Sequence, residues 1–237
     1  MNNQTLTPGV IFWDFDGTLA HRPDGWSGTL AASLLECLPT CSITRSDLVP
    51  LLSQGFPWHT PDIGHPEHST PDRWWVPVEQ LLASACISLG VAAQMASDAA
   101  HRTRHRYLGV AGWIVYDDVR PALAALRDRA WRHSIISNHV PELPDLVAAL
   151  GLAEFFDHIF TSAVVGFEKP HPAIFQAAIQ ATEPARTAWM VGDSYVADIL
   201  GAEASGLDAV LVRTHDQRAR YCCDGLDAVV DLVCRRA

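Results

Sequence analysis

Lysine is all but missing from this chain: Lys169 is the single one in 237 residues, against 16 arginines. Basic residues are scarce in general, with 17 Lys and Arg against 27 Asp and Glu, a formal net charge of −10. Nucleic acid and anionic membrane surfaces both reward excess positive charge, so this balance argues against either partner. An anionic small molecule must then be held by local positive charge and a metal, not by the general field. No apolar stretch reaches the ~18 residues that a membrane span needs. The opening MNNQTLTPGV lacks a charged region followed by an apolar one, so no secretory signal is expected and the chain reads as cytoplasmic. The six cysteines form no CxxC pair, and Cys222 and Cys223 are neighbours, which favours reduced thiols over a disulfide framework. The pattern gives no indication of oligomeric state.

Core material is ample: 49% of residues are apolar and 19% charged. The length fits one large domain, or a domain carrying a sizeable insert. Val10-Ile11-Phe12-Trp13-Asp14 reads as a buried strand, bounded by Pro8-Gly9 and by Gly17. From about Ala20 to Val115 the pattern is helical, with helices expected near 28–38, 44–54, 73–90 and 92–108. A loop rich in Pro and Gly at 55–66 interrupts them. From Val119 onward helices and strands alternate: helices at 119–132, 142–150, 171–181, 195–205 and 225–234, strands at 134–137, 158–162, 188–191 and 209–212. Such alternation implies an α/β fold with a parallel sheet covered on both faces.

Ligands of open α/β sheets bind beyond the carboxyl ends of the strands. The polar residues expected there are Asp14 and Asp16, then Ser137-Asn138, then Lys169, then Gly192-Asp193 with Asp198 five residues beyond. Converging carboxylates repel unless a cation holds them, and hard oxygen ligands suit Mg²⁺. A carboxylate can attack phosphorus, and a second one nearby can protonate the leaving oxygen and later activate water. A lone lysine in an arginine-rich chain is a candidate for a compact point charge on a flexible stem, which Arg supplies badly.

Taken together, Asp14-Phe15-Asp16-Gly17-Thr18-Leu19, Ser137-Asn138, Lys169-Pro170 and Gly192-Asp193 with Asp198 resemble the four motifs of the haloacid dehalogenase-like superfamily. The similarity is to its subfamily I branch, with a helical C1-type cap inserted after the first motif. It implies a Rossmann-like core at 1–20 and 113–237 and a helical cap at 21–112. It further implies Mg²⁺ as cofactor and a small phosphorylated metabolite as substrate, hydrolysed through an aspartyl phosphate. Carried over by motif, Asp14 is the nucleophile and a metal ligand. Asp16 is the general acid/base, and its carbonyl is a metal ligand. Thr18 supports the loop, Ser137 and Asn138 bind phosphate, and Lys169 bridges nucleophile and phosphate. Asp193 is a metal ligand, and Asp198 supports the metal site through water or a neighbour.

Plainer readings stand beside these. Ser137-Asn138 alone would cap a helix, Asp16 alone would serve a turn, and Asp198 alone would serve a helix dipole. His59, His65 and His68 lack zinc-ligand spacing and read as solvated loop residues that could still face the substrate. Trp74-Trp75 reads as a packing pair, and Arg102, Arg104, His105 and Arg106 as a solvated helix face. Specificity is expected around Trp26, Trp58, His59, His65 and His68. Asp16 disfavours a dehalogenase, and the absence of lysine from 21–112 disfavours a phosphonatase. A sugar-phosphate mutase remains the enzymatic alternative, and a non-catalytic binding or regulatory module the alternative of another class.

Overall fold

The computed structural model describes residues 9–182 and 187–236. The first apolar run forms β1 (Val10–Trp13), with all four side chains buried. The turn after it needs Gly17 at φ +89°, and the chain then enters β2 (Ala20–His21). Next come α1 (Gly25–Cys37), α2 (Arg45–Leu48), α3 (Pro71–Ser88) and α4 (Ala93–Leu108), with α4 packed against both α1 and α3. The chain returns through β3 (Ile114–Val115), antiparallel to β2, so both ends of the helical segment leave the sheet at one place.

The remainder alternates as expected. It runs α5 (Val119–Arg127), β4 (Arg132–Ser137), α6 (Leu143–Ala149), β5 (His158–Thr161), α7 (Ser162–Val165) and α8 (Pro172–Thr182). Then follow β6 (Ala188–Gly192), a π-helical turn at Tyr195–Leu200 leading into α9 (Gly201–Ala204), β7 (Asp208–Val212), β8 (Cys222–Cys223) and α10 (Leu226–Arg236). The large sheet has the order β5-β4-β1-β6-β7-β8, and every pairing in it is parallel. Side chains alternate across β1: Ile11 and Trp13 join one core cluster, Val10 and Phe12 the other. A strand buried on both faces has no polar alternation, and β1 has none.

This order places the site. From β1 the chain builds outward through β4 to β5, then returns beside β1 as β6 and builds the other way. Strand order therefore reverses between β1 and β6, which opens a crevice at their carboxyl ends.

Three expectations differ from what is found. The helix expected at 44–54 is α2 followed by a 3₁₀ turn at Pro50–Leu52, because Pro50 lacks the N–H that would continue the ladder. The helix expected at 119–132 ends at Arg127; Ala130 has φ +63°, a turn that reverses the chain into β4. The continuous helix expected at 195–205 instead opens with the π-helical turn, a local widening common beside functional sites.

The arginine face of α4 is not uniformly solvated. Arg104 is only 20% exposed, donates to Glu142 at 3.2 Å and lies over the Trp75 ring. Trp75 is buried and its indole N–H also donates to Glu142, at 3.1 Å. A carboxylate at the start of α6 thus fastens α3 and α4 to the sheet half of the molecule. This corrects the solvated reading of Arg104, whose partner lies 38 residues away in sequence.

Candidate active site

Asp14 follows the last residue of β1 and is buried, its N–H donating to Val191 O at 2.9 Å. Register explains its neighbours. Trp13 lies level with Ile135 of β4 and with Val191 of β6, so Asp14 just beyond β1, Ser137 at the end of β4 and Asp193 just beyond β6 converge. Ser137 Oγ donates to Asp14 Oδ1 at 2.9 Å, and Lys169 Nζ donates to the same oxygen at 2.7 Å. No hydrogen bond among the described residues engages Oδ2, which is left free to act.

The Lys169 ammonium is buried and saturated. Its other two N–H groups go to Asp198 Oδ1 at 2.5 Å and Ile136 O at 2.8 Å. Burial would lower its pKa, but the charges of Asp14 and Asp198 more than offset this and hold it above its ordinary value. Asn138 fixes the backbone beneath it. The Asn138 amide accepts from Lys169 N at 2.6 Å and donates to Lys169 O at 2.9 Å. The Asn138 side chain, expected to bind phosphate, is therefore engaged with the Lys169 main chain. Asp198 is buried too, its second oxygen accepting from Ser194 N at 2.9 Å.

Asp193 reaches the site from the end of β6. A Cβ built on Gly17 would overlap its carboxylate, and one built on Gly192 would overlap that of Asp198. Both glycines are required by close approach. Among the described residues, Asp14, Asp193 and Asp198 each bring a ligand atom within 4.8 Å of the others. Burial first, then the charges of Asp14 and Asp198, push the Asp193 pKa above its ordinary value. Asp198 already has both oxygens engaged, so Asp14 Oδ2 and Asp193 are the carboxylate atoms still open. Hard oxygens crowded with too little positive charge fit a hard divalent cation such as Mg²⁺. The Asp16 carboxylate is not one of the three that meet.

Asp16 points into the cavity instead, and solvent there reaches it. The helical segment above still crowds it, so desolvation, followed by the charge of Asp14, raises its pKa to about 7. A carboxyl group poised near neutrality can give and take a proton. Thr18 is buried; its hydroxyl finds no partner among the described residues, and its carbonyl accepts from Arg213 Nε at 2.9 Å.

The structure adds His139 and Tyr107 to the cavity lining. His139 is buried, with neither ring nitrogen partnered among the described residues, and desolvation pushes its pKa down to about 4. Its position directly after Ser137-Asn138 was a usable signal. Tyr107 is on α4, and no local pattern in the sequence links it to Asp16. Trp26 and Trp58 line the cavity as expected. His59, His65 and His68 do not, and lie around a separate cleft. The solvated reading fails for His65: its side chain is 12% exposed, with Nε2 2.9 Å from the buried carboxylate of Glu168.

A family model described as haloacid dehalogenase-like hydrolase matches residues 8–206. The chain is 33% identical over 154 residues to the haloacid dehalogenase-like hydrolase domain-containing protein 3 of Mus musculus, covering 64% of this chain and 60% of that protein. It is 35% identical over 136 residues to the glyceraldehyde 3-phosphate phosphatase of Methanothermobacter thermautotrophicus, covering 50% of this chain and 60% of that one. In each case the match spans about 60% of the relative's length. The solved 2-haloacid dehalogenase of Pseudomonas syringae superposes with a TM-score of 0.67 at 21% identity, over 97% of this chain and 100% of its own, and so shares the fold. With the family model running through β1, β4 and β6 and the residues that meet at their ends, the chain belongs to the haloacid dehalogenase-like hydrolase family.

Proposed function

We propose that this chain is a Mg²⁺-dependent phosphohydrolase of small phosphomonoesters, working through an aspartyl phosphate on Asp14. One observation carries the reading. Asp14 has one oxygen pinned by Lys169 and Ser137, while the other faces a cavity also lined by Asp16 and Asp193. The phosphatase name of a relative that is 35% identical supports the same chemistry. Residues 21–112 serve as a cap over the site, and 1–20 with 113–237 as the catalytic core.

The steps follow from these groups. Asp14 Oδ2 attacks phosphorus, and the bond to the leaving oxygen breaks. Asp16, protonated up to about pH 7, gives its proton to that oxygen. The resulting Asp16 carboxylate takes a proton from water, which attacks the phosphorus and returns Asp14 and phosphate. Lys169 holds Asp14 Oδ1 and so aims Oδ2. With its three N–H groups engaged, it offers an incoming phosphate charge more than a free hydrogen bond. Bound between Asp14 and Asp193, Mg²⁺ would neutralise charge between carboxylate and phosphate.

The test is release of inorganic phosphate from p-nitrophenyl phosphate and a panel of small phosphomonoesters, with Mg²⁺ and with chelator. Turnover should require Mg²⁺ and vanish in Asp14→Asn with its circular dichroism unchanged. Wild-type turnover in Asp14→Asn would refute the assignment.

A further inference from the structure

The chemistry at Asp14 does not require the wall that stands above it. The cavity of about 480 Å³ has Asp14, Asp16, Asp193, Asp198 and Lys169 at its base. Trp26, Trp58, Pro61, Tyr107 and Val140 rise over them. Trp26 lies flat on Tyr107, ring centroids 3.9 Å apart at 15°, and Trp58 lies flat on Phe56 at 4.5 Å and 8°. Trp26 and Trp58 are half-buried and 6.0 Å apart, so neighbours hold one side of each while the cavity keeps another open. Rings set in advance lose little freedom when a ligand arrives.

Positive charge is scarce among the residues of this wall. Lys169 is the only Lys or Arg among the described lining residues, and its three N–H groups are taken by Asp14, Asp198 and Ile136 O. His139 is buried and held neutral near pH 7. The charge of Arg22 reaches Asp16 from behind Tyr107, but Arg22 is not among the lining residues and donates to Thr29 Oγ1 and to the carbonyls of Arg106, Tyr107 and Gly109. At the base, Asp16 and the acidic cluster of Asp14, Asp193 and Asp198 already share the single ammonium, and any cation held there, with the reacting phosphate. A second anionic group on a ligand would be desolvated here with nothing to pair with, beside charges of its own sign.

We propose that the cavity selects phosphomonoesters whose leaving group is uncharged and presents a flat apolar face to Trp26 and Trp58, with buried Tyr107 backing Trp26, and disfavours those with a second anionic group. The inference rests on the phosphohydrolase reading and names the substrate class of the same site. It also sets this cavity against a bisphosphate, which a phosphate-transferring mutase would have to hold.

Three probes separate the contributions: benzyl phosphate, ethyl phosphate and 2-phosphoglycolate, all esters of primary alcohols. With Mg²⁺, kcat/KM for benzyl phosphate should exceed that for ethyl phosphate by on the order of tenfold, the worth of a packed ring. It should exceed that for 2-phosphoglycolate by more. In Trp58→Ala the benzyl-to-ethyl ratio should fall toward one. In Trp58→Arg the phosphoglycolate-to-benzyl ratio should rise, because a cation now stands in the wall. The wild-type ratios decide the matter even if a variant fails to fold. Turnover with 2-phosphoglycolate equal to or better than benzyl phosphate overturns the selectivity while leaving the phosphohydrolase reading intact. No turnover of any probe overturns both.

Discussion

Buried within the sheet, His133 shows how one residue's surroundings set its chemistry. The Trp13 indole can only donate, and it donates to His133 Nδ1 at 3.1 Å. The proton therefore sits on Nε2, which donates to Leu123 O at 3.2 Å. Desolvation, partly opposed by that carbonyl, lowers the His133 pKa from 6.5 to about 4. A depressed histidine stabilises the fold fully above 6.5, and that contribution is lost as pH falls toward 4. Denaturant melts should show wild type losing on the order of 3 kcal/mol more than His133→Gln across this window. Equal losses would mean that the histidine is not held neutral. Lys169 offers a second test. Its three acceptors at 2.5–2.8 Å surround a tetrahedral ammonium, which a planar guanidinium cannot replace. Lys169→Arg should keep the charge yet lower kcat by about 100-fold or more in phosphate-release assays. Gly17→Ala should destabilise by about 1–3 kcal/mol, because φ is +89° and a Cβ meets Asp193. It should also weaken Mg²⁺ binding measured by calorimetry.

Between elements, the notable joint links the loop before α3 to the loop before α8. His65 N donates to Gly166 O at 2.8 Å, and His65 Nε2 lies 2.9 Å from Glu168 Oε1. Glu168 is fully buried and directly precedes Lys169, so this joint connects the helical segment to the loop that carries the ammonium. The hydrogen bond to Glu168 raises the His65 pKa above its ordinary 6.5. A raised histidine contributes stability that is complete below 6.5 and lost as pH rises through its folded value. Amide exchange of segment 57–68 should accelerate over that rise, beyond the intrinsic pH effect, and His65→Ala should remove the excess. Identical profiles in the two proteins would show that the pair does not hold the loop.

For the whole molecule, the consequence is a coupling of metal, pH and stability. In the metal-free chain Asp16 is raised from 3.8 to about 7, and Asp193 is raised as well. Raised carboxylates stabilise the fold below 3.8, and that contribution disappears as pH climbs through about 7. A divalent cation held by Asp14 and Asp193 competes with the Asp193 proton, so its binding should tighten over the same interval. The increase in Tm on adding Mg²⁺ should therefore be larger at pH 8 than at pH 5. Calorimetry should show proton release on binding near pH 6. A Tm increase independent of pH would mean that the Asp193 carboxylate does not hold the ion.

Much of the site was legible in sequence because its parts are local. Asp14-Phe15-Asp16-Gly17-Thr18 is one strand end and one turn, and Gly192-Asp193 is another, each set by a short apolar run and a glycine. The parallel sheet followed likewise from alternating periods, since a strand buried on both faces must be apolar throughout. Only the tertiary structure decided which groups pair. Asn138 faces the Lys169 backbone across 31 residues, Trp75 meets Glu142 across 67, and His65 meets Glu168 across 103. No periodicity encodes such partners. They are chosen when packed elements bring polar groups out of water and leave each one a single neighbour able to satisfy it. The aromatic wall arose in the same way: Trp26, Trp58 and Tyr107 belong to three separate segments, and packing of the helices against one another brings their rings to one side of a cavity.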